Sequence, residues 1–137
     1  MNINQETDYA LRIVLMLCKE GLDNRLDAKY LSEEGKIPLR FLLKLTRKLT
    51  QAGIVKSFRG TNGGYTITRE PKDITFKDVV EAIQGPIIVN RCLYDQKACS
   101  ANKSAHCSIH KALSGVQNTL VEELSKLNFE KMKNEPW

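Results

Sequence analysis

The chain has 137 residues and a net charge of +5, from 21 Lys and Arg against 16 Asp and Glu, with 42% apolar and 27% charged residues. That size and balance predict a soluble globular domain with a core of its own, and at most an appendage beside it. A membrane-spanning helix is not expected, because the longest apolar run, Ile13 to Cys18, has six residues against the ~20 a bilayer requires.

The opening MNINQETDYA carries two acids and no basic residue, unlike a signal or transit peptide, so the expected compartment is the cytoplasm. Residues 4–20 predict a first helix, with Ala10, Ile13, Val14, Leu17 and Cys18 at i, i+3, i+4, i+7 and i+8 forming one apolar stripe. Gly21 stops it. Asp27 caps a short second helix through Glu34, with Ala28 and Leu31 facing inward and Gly35 at its end. Pro38 opens a third helix running to about Ala52, since proline favours the first helical position. Leu39, Leu42, Leu45 and Leu49 give that helix an apolar stripe, and Arg40, Lys44, Arg47 and Lys48 give it a basic one.

Ile54–Phe58 and Tyr65–Thr68 predict two strands around Arg59, Gly60, Thr61, Asn62, Gly63 and Gly64. The Asn62-Gly63 pair is expected to supply the positive φ angles of a tight hairpin. Thr75 and Asp78 have capping-box spacing ahead of a fourth helix through Gln84, which buries Phe76, Val79, Val80 and Ile83 and ends at Gly85-Pro86. Residues 86–107 show little periodicity. From Ser108 to about Leu127, apolar residues recur at Ile109, Leu113, Val116, Leu120, Leu124 and Leu127, as in a dimerisation helix or, alternatively, a helix that packs back on its own domain.

Charge is unevenly placed. Between Gly35 and Arg69 stand eight basic residues and no acid, leaving a net −3 on the rest of the chain. A short helix, a turn and a basic helix, followed by a basic glycine-rich hairpin, form the pattern of a winged helix-turn-helix. The expected partner is double-stranded DNA. Arg40, Lys44, Arg47 and Lys48 are the candidate recognition-helix contacts; Arg59, Gly60, Thr61, Asn62 and Gly63 are the candidate wing contacts. No nucleophile arrangement or phosphate-binding loop signature points to an enzyme.

Cys18 falls on the buried stripe of the first helix and reads as a small hydrophobe. Cys92, Cys99 and Cys107 are separated by six and seven residues, and two more residues separate Cys107 from His110. Structural zinc favours C-x2-C knuckles, and neither gap fits one. Three thiolates with one non-cysteine donor suit an iron–sulfur cluster. A thiol–disulfide switch, a zinc site and incidental thiols are the other readings of these residues.

The chain resembles the Rrf2 family of winged-helix transcriptional regulators over nearly its whole length. The resemblance rests on Thr7-Asp8-Tyr9-Ala10-Leu11-Arg12, on Ile37-Pro38-Leu39-Arg40-Phe41-Leu42 and on Leu49 through Val55. It extends to Arg59-Gly60 with Gly63-Gly64-Tyr65, and to Ile74 through Ile83. It implies a mainly α fold with a small β-hairpin wing and a long C-terminal dimerisation helix. The implied division is a DNA-binding domain over 1–85, a cluster-binding loop over 86–107, and a dimerisation helix with tail over 108–137. The family further implies a homodimer and Cys92, Cys99 and Cys107 as cluster ligands. Its IscR-like members use a His three positions after the last Cys with a 2Fe–2S cluster, where His110 stands. Its NsrR-like members use an Asp of the partner's first helix with a 4Fe–4S cluster, where Asp8 stands, and the Thr-Asp-Tyr-Ala opening leans to Asp8. The expected function is a dimeric regulator whose operator affinity follows redox, nitric oxide or iron–sulfur status. The alternatives are a thiol- or partner-regulated DNA-binding protein without a cluster, and a small metal or redox protein that does not bind DNA.

Overall fold

The computed structural model describes residues 1–103 and 106–136, so Ser104 and Ala105 of the predicted loop and Trp137 of the tail lie outside the described residues. Seven principal elements follow in order: α1 (Gln5–Glu20), α2 (Ala28–Gly35), α3 (Leu39–Gln51), β1 (Val55–Phe58), β2 (Gly64–Ile67), α4 (Phe76–Gln84) and α5 (Ser108–Lys126).

Helix α1 begins where Asn4 Oδ1 accepts a hydrogen bond from the Thr7 amide at 2.8 Å, and it ends at Gly21, whose φ is 95°. It is the central element, packing against α2, α3, α4 and the C-terminal tail. Ala10, Ile13, Val14 and Leu17 are fully buried, and Met16 and Cys18 nearly so, which explains why its apolar stripe widens into a continuous run. Asp27 caps α2 as its position predicts, accepting from the Tyr30 amide at 2.7 Å. The end of α2 differs from expectation. Gly35 remains helical and Lys36 takes the left-handed conformation, with φ 54°. Space around Gly35 is tight for a different reason: a Cβ there would stand 2.8 Å from Met16 Cε of α1 and 3.0 Å from Ile37 Cδ1, so those side chains would have to shift.

Leu42, Leu45, Thr46 and Leu49 form the buried face of α3, whereas Leu39 is 49% exposed and outside the core. The periodicity that groups Leu39 with Leu42 does not supply an element to cover the helix's first turn.

Strands β1 and β2 pair antiparallel, with Val55 opposite Ile67 and Phe58 opposite Gly64. Leu26 adds a short third strand position, exchanging backbone hydrogen bonds with Tyr65 at 2.9 and 3.0 Å. The hairpin turn is not built as expected. Neither Asn62 nor Gly63 has positive φ; Gly60 (φ 92°) and Gly64 (φ 151°) do. The turn closes through Gly63 N donating to the Gly60 carbonyl at 2.9 Å. Because the loop spans five residues between the strands, the two-residue turn geometry does not apply.

The capping box of α4 is present in both directions, at 3.0 and 3.1 Å between Thr75 and Asp78. After it, short 3-10 turns at Arg91–Leu93 and Gln96–Ala98 lead to α5. The tail after α5 returns to the first unit. Phe129, 1% exposed, joins the main core cluster and stacks on Phe76 at 5.1 Å. Lys19 donates to the carbonyls of Lys133 and Glu135. Residues after α5 therefore pack with 1–85 rather than with α5 alone.

Candidate functional site

Arg40, Lys44 and Arg47 lie on the exposed face of α3, and Lys48 is partly covered. The four are electrically inequivalent. Lys44 Nζ pairs with Glu6 Oε1 of α1 at 2.8 Å. The Glu6 carboxyl is held below its ordinary value, first by that hydrogen bond, with the charges of Lys44 and Lys48 adding to it against some desolvation. Lys48 Nζ lies 3.5 Å from the Ile83 carbonyl near the C-terminal end of α4, where the helix dipole favours a cation. Arg40 stacks over Phe41 at 4.8 Å. Among the described residues no ion pair involves Arg40, Arg47 or Arg59, so these three present uncompensated charge.

Arg59, Gly60, Thr61 and Asn62 form the exposed tip of the hairpin, with Gly63 partly covered. Gly63 has no room for a side chain, since a Cβ would lie 2.8 Å from both the Gly60 and Phe58 carbonyls. A groove of about 350 Å³ separates α3 from the hairpin and is lined by Leu43, Arg47, Gln51 and Arg59 among others. Arg47 of the predicted helix contacts and Arg59 of the predicted wing contacts therefore line one groove, which suits a phosphate backbone.

Two contributors escaped the sequence reading. Glu6 neutralises Lys44 from 38 positions away, and no local pattern signals such a pair. Arg25 holds the wing, donating to the Asn62 carbonyl at 2.9 Å while its guanidinium lies 3.4 Å from the centroid of the Phe58 ring. A basic residue directly before the strand-like Leu26 was the available clue.

Cys92, Cys99, Cys107 and His110 line one cavity of about 260 Å³, with Arg91 and Ile109 among its other walls. Cys92 belongs to the first 3-10 turn after α4; Cys107 takes the N-cap position of α5, and His110 lies in that helix's first turn. His110 Nδ1 is 3.3 Å from Cys92 Sγ. The chain entering this region is fixed by Val89 N donating to Gln117 Oε1 at 3.0 Å. Among the described residues no three His, Cys, Asp or Glu side chains stand close enough to share one metal ion. A polynuclear iron–sulfur cluster makes a different demand, since each ligand binds its own iron. Three thiols and an imidazole around one cavity fit that donor set. Arg91 lines the same cavity, and Cys107 sits at the positive N-terminal end of α5.

Asp8, the other candidate fourth ligand, does not line this cavity; its Oδ2 pairs with Arg12 at 2.7 Å, and Arg12 also donates to the Gly35 carbonyl. His106 is exposed. Cys18 is 2% exposed, and burial pushes its thiol up to about 12, in keeping with a packing role. No helix among the described residues is long and apolar enough to cross a membrane.

A family model described as "Rrf2: Iron-dependent Transcriptional regulator" matches residues 3–135. The transcriptional regulator CymR of Bacillus subtilis is 30% identical over 126 residues, spanning 91% of this chain and 90% of that protein. NsrR of the same organism is 29% identical over 124 residues, spanning 90% and 80%. In three dimensions the chain is similar to the solved structure of CymR, described as the global cysteine regulator of B. subtilis. That match has a TM-score of 0.74 and 26% identity, and covers 97% of this chain and 96% of the other. The structure of T. potens IscR, at 23% identity, shares the fold with a TM-score of 0.70, covering 96% and 85%.

Proposed function

The chain belongs to the Rrf2 family of transcriptional regulators, and from that premise we propose that it is a homodimeric DNA-binding regulator whose operator affinity follows the state of an iron–sulfur cluster held by Cys92, Cys99 and Cys107. The relatives are transcriptional regulators, not enzymes. The observation that carries the reading is the convergence of the three predicted thiols and His110 on one cavity at the junction between α4 and α5. Within one chain, His110 is the fourth donor already at that cavity. Asp8 remains the alternative, supplied by the α1 of a partner subunit.

Such a cluster supplies reversible changes of oxidation state and ligation at iron. The protein's own residues turn that chemistry into a mechanical constraint. Drawing Cys92 toward Cys107 ties the chain leaving α4 to the first turn of α5. The spacing of these cysteines thus sets the direction in which α5 departs. A dimer built on α5 would carry that direction into the separation of the two α3 helices, which must meet half-sites about 34–36 Å apart. A bias of a few kcal/mol between two such arrangements changes occupancy by orders of magnitude. Arg40, Arg47 and Arg59, with Lys44 and Lys48, contact DNA from α3 and the wing tip Gly60–Gly63.

A second reading is favoured by the contact of Cys92 Sγ with His110 Nδ1 at 3.3 Å: these cysteines act as a thiol sensor without any cluster. Anaerobic purification followed by absorption spectroscopy, iron and sulfide analysis and duplex-DNA binding separates the two. Iron and sulfide in equal amounts, lost in Cys92→Ala, Cys99→Ala and Cys107→Ala, support the cluster. A colourless, iron-free protein with full DNA binding overturns it. Comparing His110→Ala with Asp8→Asn for iron retention identifies the fourth ligand, the Asn keeping a hydrogen-bond acceptor for Arg12.

A further inference from the structure

We propose that Leu39 and Leu43 are specificity residues that read thymine methyl groups in the major groove; the inference deepens the DNA-binding reading of α3 and rests on it. Both are large apolar side chains left substantially open, at 49% and 43% exposure, and neither joins the core cluster or the residues packed against it. They are one helical turn apart and so lie on one face of α3. Leu39 is the first residue of that helix, and recognition helices contact base edges with their N-terminal residues.

The pair does not form a separate greasy patch. Leu43 lines the same groove as Arg47, Gln51 and Arg59, and Arg40 stands between the two leucines in the chain. No acid occurs from Gly35 to Arg69. The occupant must therefore be anionic and must also offer apolar groups to a helix. Duplex DNA meets both conditions. Phosphates supply the charge, and the thymine C5-methyl is the apolar group that base edges display in the major groove. A protein partner would have to combine an acidic rim with an apolar centre, and is the rival outcome of the test.

The full-length protein, purified anaerobically, is used to select duplexes from a randomised library. In the recovered duplex each thymine is then replaced singly by uracil, which removes only the methyl group. At one or more thymines per half-site, uracil weakens binding of the unaltered protein by about threefold to tenfold, the scale of one buried methyl. In Leu39→Ala or Leu43→Ala the matching thymine-to-uracil change becomes silent, because the leucine and the methyl act as a pair. Uracil substitution without effect at every position overturns the proposal, as does an effect that persists in both variants. A uracil series without effect on the unaltered protein overturns the proposal even where a variant folds poorly, and Leu39→Val and Leu43→Val, which keep a smaller apolar side chain, then carry the matched comparison. Enrichment of no sequence while bulk duplex still binds overturns base reading by the leucines and leaves DNA binding standing. Binding to no duplex at all overturns both.

Discussion

Lys44 Nζ of α3 lies 2.8 Å from Glu6 Oε1 of α1, so a cation in the basic stripe proposed to face DNA is shared with an acid of its own chain. A phosphate that takes Lys44 must displace Glu6. Exposed pairs of this kind contribute about 0.2–1 kcal/mol, so Glu6→Gln should tighten binding to duplex DNA up to about fivefold. It should also steepen the salt dependence by up to about one unit. Titration by fluorescence anisotropy at several salt concentrations checks both. An unchanged affinity in Lys44→Ala would show instead that Lys44 never leaves Glu6.

The same pair carries a pH signature. The Glu6 carboxyl is held below its ordinary value, so its contribution to folding stability is present above the ordinary Glu range. That contribution is lost as pH falls through the lowered value. The acid limb of a stability–pH curve, measured by urea unfolding, should therefore flatten in Glu6→Gln, with no difference in slope near neutrality.

Arg25 links the wing to the body through the Asn62 carbonyl and the Phe58 ring. It is not expected to touch bases. Removing it should loosen the hairpin tip rather than the fold. Arg25→Ala is expected to weaken duplex binding about twofold to fivefold, the scale of one exposed cation–π contact. Differential scanning calorimetry should show a shift of no more than a few degrees. A large thermal loss would mean that Arg25 supports the core.

Much of this architecture was legible in the sequence because its signals are local. Asp27 and the Thr75–Asp78 pair mark helix starts within a few residues, and the acid-free block marks the cationic face of α3 and the hairpin. The cysteine spacing marks the cavity beside α5. What escaped is what depends on distant partners. Gly35 reads as a helix end, but it stays helical and packs close to Met16 on another helix. Leu39 shares a period with Leu42, yet it stays about half exposed and outside the core. Asn62-Gly63 is a strong hairpin signal only when the strands close around two residues, and here they close around five.

Phe129 is the clearest case of a tertiary partner with no local signal. It follows α5 without any apolar period, yet it is buried against Phe76, and its amide donates to the Pro71 carbonyl at 3.2 Å. Phe129→Ala should destabilise the protein by about 3–5 kcal/mol. Urea unfolding should show this as a lower midpoint with an unchanged slope.

Cys18 and the cavity cysteines should separate chemically. Burial pushes the Cys18 thiol up to about 12, so at pH 8 almost none of it is thiolate, the reactive form. In the native, metal-free protein, iodoacetamide at pH 8 should label Cys92 and Cys107, which are partly exposed. Cys18 should be labelled only after denaturation. Peptide mass spectrometry reads each site, and rapid native labelling of Cys18 would show that α1 opens on the timescale of the reaction.

Helix α5 is 19 residues long and buries none of them in the single chain, with Ile109 66% and Val116 57% exposed. Those two lie seven residues apart, the spacing of one seam in a helix pair. An isolated helix gains little stability without such packing, so the proposed homodimer is the natural cover for this face. A carboxylate in an apolar seam is costly to bury unpaired, and Val116→Asp should weaken self-association by roughly a hundredfold or more. Asn118→Asp adds the same charge on the opposite side of α5 and should leave association unchanged. Sedimentation velocity over a concentration series distinguishes them. Because two recognition helices must be tethered to occupy two half-sites, Val116→Asp should also lose affinity for a two-half-site duplex while keeping its affinity for a single half-site. Equal dimerisation by both variants would place the subunit contact elsewhere on the chain.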